Sequence, residues 1–144
     1  MPDLPNVARP KFEDPAAQRF FDGMVVALQA VIKLLRDYAS PPPWVDLQLK
    51  TGWTLLGTTY NKPQARWKPG RKTVVFRGSL IGPAAISEIT NVPADMKPLK
   101  NEILHAGGAA GYCRVDVRAD GSVALVAGTA VGYLSLDGLS YEVG

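Results

Sequence analysis

The chain has 144 residues, 47% of them hydrophobic and 20% charged, which suits one compact domain with a short appendage and excludes a wholly disordered chain. No apolar run approaches the roughly 18–20 residues that a membrane-spanning helix needs. A single cysteine, Cys113, excludes an internal disulfide framework, a single histidine, His105, excludes multi-histidine metal sites, and the net charge is only +3. That charge is unevenly spread. Residues 1–43 carry five basic and five acidic side chains, residues 44–72 six and one, and residues 73–144 five and seven.

Residues 1–15 hold four prolines, at positions 2, 5, 10 and 15. Proline at this density opposes helix and sheet, so an extended arm is expected, suited to lying along a partner protein. It has no basic stretch followed by a continuous apolar run, so no secretory leader is expected.

Residues 16–39 predict an amphipathic helix. Asp14 is placed to cap it, with Pro15 at the first helical position. Phe21, Val25, Leu28, Ile32 and Leu35 follow the alternating four- and three-residue spacing of a heptad seam. Met24, Val31 and Tyr38 widen that seam on one side. The resulting face is broader than a two-stranded seam uses and predicts a bundle of three or more helices. Three heptads are marginal as an isolated coiled coil, and Gly23 weakens them further, by about 1 kcal/mol relative to alanine. Phe21, Met24, Val25, Leu28, Val31, Ile32 and Leu35 are the expected trimerisation residues. Ser40 and Pro41–Pro43 then end the helix in a stiff spacer, and a domain boundary is expected at 40–43.

Residues 44–144 read as strands separated by turn signals. Segments 45–50, 53–56, 74–80, 85–89 and 102–106 are strand candidates. Around Asp116 the period of two is clean, with Cys113, Val115 and Val117 on one face and Tyr112, Arg114, Asp116 and Arg118 on the other. Asp120-Gly121 predicts a tight turn before residues 123–126, and Asp137-Gly138 another between residues 133–136 and 139–143. About nine short strands predict an antiparallel sandwich or barrel rather than an alternating βα fold.

No catalytic constellation emerges. His105 has no triad partners, no serine sits in a G-x-S-x-G elbow, and the carboxylates are scattered. Cys113 falls on the apolar side of its strand, as a buried thiol does. Neither residues 69–73 nor the glycine-rich stretch 107–111 has the spacing of a nucleotide-binding loop. No enzyme activity, metal or cofactor is expected. The positive excess is concentrated in residues 61–72, which predict a basic loop. Lys62, Arg66, Lys68, Arg71 and Lys72 surround Trp67 there, a composition suited to an anionic glycan whose sugar stacks on the indole. These six are the candidate receptor contacts. A nucleic-acid module would carry a stronger charge excess and a recognisable motif, and none is expected.

Four blocks occur in a fixed order: residues 64–78 (QARWKPGRKTVVFRG), 89–98 (ITNVPADMKP), 114–123 (RVDVRADGSV) and 133–141 (YLSLDGLSY). Together they resemble the C-terminal head of tailed-bacteriophage tail-fibre and receptor-binding proteins. Val92-Pro93 stands where that pattern has Leu-Pro, and Met96-Lys97-Pro98 where it ends in Arg-Pro. The resemblance covers residues 53–144. It implies a mainly β jelly-roll sandwich, similar to the complement C1q and tumour-necrosis-factor heads, preceded here by one helix and assembled as a homotrimer. It implies a non-enzymatic virion protein at a tail tip, baseplate or fibre head, made in the host cytoplasm and binding the host cell surface. The alternative is an architectural capsid or tail decoration without receptor affinity. Expected partners are two further copies of the chain, another virion protein held through residues 1–39, and an anionic host glycan.

Overall fold

The computed structural model describes residues 10–144, so residues 1–9 of the expected arm lie outside the described residues. These residues divide into two compact units, a helix with the residues that lead into it, and residues 40–144.

The helix α1 runs from Pro15 to Ala39. Its start follows the sequence logic. The Asp14 Oδ1 accepts the backbone N–H of Ala16 at 2.9 Å, and the Asp14 carbonyl accepts that of Gln18 at 3.0 Å. Phe12 packs on Phe21 with ring centroids 5.3 Å apart, and its N–H donates to Gln18 Oε1 at 2.8 Å, which fixes the entry of the chain into the helix. No residue of α1 is buried. Phe20, Met24, Leu28, Val31, Leu34, Leu35 and Tyr38 are all more than half exposed. At 100° per residue these side chains and Phe21, Val25 and Ile32 cover half of the helix circumference.

Residues 40–144 form a two-sheet antiparallel sandwich of the jelly-roll kind. The strands are β1 (Val45–Asp46), β2 (Thr54–Leu55), β3 (Gln64–Trp67), β4 (Thr73–Arg77), β5 (Ser79–Ile81), β6 (Glu88–Asn91), β7 (Glu102–Gly108), β8 (Gly111–Val117), β9 (Ser122–Ala127), β10 (Leu134–Ser135) and β11 (Ser140–Glu142). One sheet has the order β1-β3-β4-β11 and the other β2-β5-β10-β7-β8-β9-β6. Phe76, Val74, Leu80, Ile89, Val115, Val117, Val123, Leu125, Leu134 and Leu136 are at most 2% exposed and fill the space between the sheets. The alternation on β8 holds as read: Cys113, Val115 and Val117 point into the core, while Tyr112 is 88% exposed.

Four segments differ from the sequence reading. Residues 64–67 were expected in a loop and form β3, a central strand of the smaller sheet. Residues 74–80 are two strands, because the chain turns at Gly78 from one sheet to the other. Gly78 has φ +113°, and a Cβ there would overlap the backbone of Lys62 and Pro63. Of residues 45–50 only Val45–Asp46 pairs as a strand. The rest crosses from the β1 edge to β6, held by Leu47 N–H to the Pro63 carbonyl (3.0 Å), Lys50 N–H to the Ile89 carbonyl (2.8 Å) and Thr90 Oγ1 to the Gln48 carbonyl (2.7 Å). The strand expected over 85–89 sits three residues later, as β6.

Both Asp-Gly turns form. Asp120 Oδ1 accepts the Ser122 N–H at 2.8 Å and the Ser122 hydroxyl at 2.7 Å, and these bonds lower the Asp120 pKa below its ordinary carboxylate value. Gly121 and Gly138 take the left-handed φ that the turns require.

Tyr141 on β11 anchors the smaller sheet from below. Its ring lies 5.6 Å from that of Phe76, and its hydroxyl donates to the Met96 carbonyl at 2.8 Å in the core. Burial raises its pKa well above the ordinary phenol value, so the hydroxyl stays a donor at every working pH. Replacing Tyr141 with Phe leaves that buried carbonyl without its partner. The substitution is expected to cost about 1–2 kcal/mol of unfolding free energy, read as a lower urea midpoint at an unchanged slope.

Candidate receptor-binding surface

The basic residues predicted as one loop occupy two places. β3 runs through the middle of the stretch, so Lys62 and the turn residues Lys68, Arg71 and Lys72 lie at opposite ends of a strand, about 20 Å apart along the chain. Lys68, Arg71 and Lys72 are exposed at the β3–β4 turn. That turn closes through Arg71 N–H to the Lys68 carbonyl (3.0 Å), with Arg71 at φ +53°.

Trp67 is a correction to the sequence reading. It lies on the inward side of β3, is 8% exposed and belongs to the core. Its indole N–H reaches Asp95 Oδ2 at 3.3 Å. The ring presents no free face on which a sugar could stack.

Arg66 points the other way, and the register of the sheet decides what it meets. β1 pairs with β3 so that Asp46 faces Gln64, and β3 pairs with β4 so that Gln64 faces Arg77 and Arg66 faces Val75. Side chains two apart on a strand share a face. Trp44, Asp46, Gln64, Arg66 and Arg77 therefore share the outer face of the smaller sheet. A chain of polar contacts links them. Lys62 Nζ donates to Asp46 Oδ2 at 2.6 Å, Gln64 Nε2 to Asp46 Oδ1 at 2.5 Å, and Arg77 Nε to Gln64 Oε1 at 2.7 Å. The Arg66 and Arg77 guanidinium carbons lie 4.3 and 4.2 Å from the centroid of the Trp44 indole. Both distances are within cation–π range.

The electrostatics follow from these contacts. The hydrogen bonds from Lys62 and Gln64 hold the Asp46 carboxylate below its ordinary pKa, so it stays ionised down to the acid range. Of the three cations Lys62, Arg66 and Arg77, Lys62 alone is hydrogen-bonded to this carboxylate. Arg66 Nε is buried and has no hydrogen-bond partner.

Beside this cluster lies an open cleft of about 340 Å³ where residues 47–50 cross between the sheets. Asp46, Gln48, Lys50 and Asn91 supply its polar walls, and Val92 and Pro93 part of its apolar lining. Asp46 belongs to both the cleft and the cluster. Mixed walls of this kind suit the hydroxyls and flat faces of a saccharide.

The outer face of the larger sheet is different. Arg114 makes a two-point pair with Asp116, both bonds at 2.8 Å, and this pairing raises the Arg114 pKa. His105, opposite Arg114 on β7, is exposed, as are the apolar side chains Ile103 and Tyr112. Cys113 is buried with Sγ 3.3 Å from the Thr129 carbonyl. Among the described residues no three His, Cys, Asp or Glu side chains converge as metal ligands, and no helix is long and apolar enough to cross a membrane.

Sequence reasoning missed Trp44, Asp46, Gln64 and Arg77 on the smaller sheet, and Phe20 and Leu34 on the helix. For Arg77 there was a signal: the alternation of Thr73, Val75 and Arg77 against Val74 and Phe76. For Trp44 there was none, because its place depends on pairing with residues some twenty positions away.

No protein-family model matches the chain, and no curated protein sequence matches it. Among solved structures, the crystal structure of the receptor binding protein (gp15) of Listeria phage PSA is similar, with a TM-score of 0.66. The match covers 93% of this chain and 82% of that one at 19% sequence identity, a likeness of fold.

Proposed function

We propose that this chain is a bacteriophage virion protein whose β head binds the host cell surface. The observation that carries this reading is the extent of the likeness to the phage receptor binding protein. It spans 93% of the chain, more than the β sandwich alone accounts for. The four sequence blocks point to the same family of heads. In this reading the head acts by binding.

The second part of the proposal is that the protein works as a homotrimer. No residue of α1 is buried, and an apolar half-cylinder of that width suits a helix with two neighbours rather than one. Residues 1–39 then serve a further purpose, holding the trimer to another virion protein. Three heads on one particle protein multiply weak single-site contacts into firm attachment.

Two measurements test this. Light scattering on a size-exclusion column is expected to give three times the 15.5 kDa chain mass. Fluorescently labelled protein, applied to a panel of bacterial strains, is expected to bind some strains and to be displaced by excess unlabelled protein. Incorporation into virions without binding to any strain that the phage infects would favour the architectural alternative.

A further inference from the structure

We propose that Trp44, Arg66 and Arg77, with Lys62 beside them, form a subsite for a phosphoryl oxyanion carried by the host-surface polymer. This rests on the receptor-binding reading and names the chemistry that the head recognises.

Charge is the first ground. Lys62, Arg66 and Arg77 lie around one carboxylate, Asp46, at one end of the outer face of the smaller sheet, with Glu142 farther along that face opposite Thr73. Both oxygens of Asp46 are engaged, by Lys62 and Gln64, and neither contacts an arginine. Around Asp46 these residues leave an excess of two positive charges.

Organisation is the second ground. A solvated arginine moves freely, but these two are held. Arg77 is fixed by its 2.7 Å bond to Gln64 and by the indole, and Arg66 by the indole. Both guanidinium groups are held against the same indole, which keeps two like charges at one ring, an arrangement that a nearby anion relieves. Arg66 also has a buried Nε without an acceptor, whereas buried polar groups are almost always paired. Among the described residues, that Nε–H meets no acceptor.

Geometry selects the class of anion. A carboxylate offers two coplanar oxygens, which match the fork of one guanidinium. Here two guanidinium groups stand on adjacent strands, and their donors outnumber the two oxygens of a carboxylate. A phosphoryl group, with three acceptor oxygens and a higher charge, uses more of those donors. The adjacent cleft, walled partly by the same Asp46, offers room for the alcohol or sugar that carries the phosphate. Lys68, Arg71 and Lys72 lack any such organisation and stand exposed on their turn.

The test uses the full chain at low ionic strength, titrated with inorganic phosphate, glycerol 3-phosphate and glucuronate. Arginine Nε–H and indole N–H resonances report binding. Phosphate and glycerol phosphate are expected to move the Arg66, Arg77 and Trp44 signals saturably, and glucuronate to bind more weakly. Arg66→Gln and Arg77→Gln are each expected to weaken phosphate binding about tenfold or more, as loss of a charge-assisted hydrogen bond does. A combined Lys68→Gln, Arg71→Gln, Lys72→Gln variant is expected to bind as before. Absence of a saturable shift at the three residues overturns the subsite, as does binding that follows the turn lysines or glucuronate binding as tightly as phosphate. Thermal melts and solution masses of the arginine variants are compared with the parent. A variant that falls apart into smaller species makes Arg66 or Arg77 a contact between copies and overturns the proposal. Cell binding separates this inference from the reading beneath it. If the parent binds cells and the arginine variants bind them equally, the subsite fails and the receptor role stands. If the parent binds phosphate but no cell, the receptor role fails and the assignment of the anion to a host polymer fails with it.

Discussion

In the proposed homotrimer, Leu28→Asp with Leu35→Asp is expected to reduce the assembly from three chains to one, leaving the head folded. Both residues lie near the centre of the apolar half of α1 and are more than half exposed. In a three-helix bundle the pair of substitutions sets six carboxylates into the interior. Each one replaces a side chain whose burial contributes about 1.5–3 kcal/mol, and each must also lose its hydration or its charge. The helix is 25 residues long, about 37 Å, and a lone helix of this composition is marginal in water. Loss of association should therefore also reduce the helical circular dichroism signal. The core of the sandwich begins at Leu47 and includes no helix residue, so the thermal transition of the head should survive. Attachment to cells should fall far more than any single-site constant, by about a hundredfold or more, because the three heads no longer act together. An unchanged mass from light scattering would show that the heads alone hold the trimer and that the helix serves attachment instead.

The second large effect is expected at the sheet-to-sheet corner. Gly78→Ala should destabilise the head by about 3 kcal/mol or more, a large part of the 5–15 kcal/mol typical of a domain. Two causes add. At φ +113° an L-residue is strained whatever space surrounds it. In addition, the new methyl group would meet the Lys62 carbonyl and the Pro63 nitrogen, which are backbone atoms and cannot swing aside. Any shift of the corner would also stretch the 2.7 Å bond from the Gly78 N–H to Asp137 Oδ1, which ties the corner to the β10–β11 turn. Gly138→Ala provides the control. It has a positive φ of +79° but nothing within reach of its Cβ, so only the conformational cost of about 1 kcal/mol is expected. Urea unfolding of both variants reads the difference. Equal losses at the two positions would mean that the corner relaxes and that the close approach to Lys62 has no energetic weight.

These two predictions differ in how far the sequence alone supports them. The helix was legible from end to end. Asp14, Pro15, the heptad spacing and the three prolines after Ser40 are local signals, and local signals suffice for a helix because its hydrogen bonds close within four residues. The β8 strand and both Asp-Gly turns were legible for the same reason. The jelly-roll class followed from the order of four blocks. Gly78 was not legible as a corner. In sequence it sits inside a run of strand formers, and only the two sheets on either side show that the chain must change direction there.

The binding surface divides along the same line. Sequence located the positive charge in residues 61–72 and included Lys62 and Arg66 among the candidates. It could not tell that the stretch is half strand, because Lys62-Pro63 and Lys68-Pro69-Gly70 frame only four residues of alternation, too few to reveal a period. Trp67 and Arg66 are neighbours in the chain, yet the pleat sends one into the core and the other outward. Which of the two meets a ligand depends on which face of the sheet is covered. Trp44, Asp46 and Arg77 come together with Arg66 through two registers, β1 on β3 and β3 on β4. A one-residue slip in either would turn the cluster inside out. Sequence by itself thus determined the segmental chemistry: a capped apolar helix, a β head and a basic stretch. Tertiary structure alone decided which side chains share a face, because strand pairing joins residues far apart in the chain and no local pattern encodes their register.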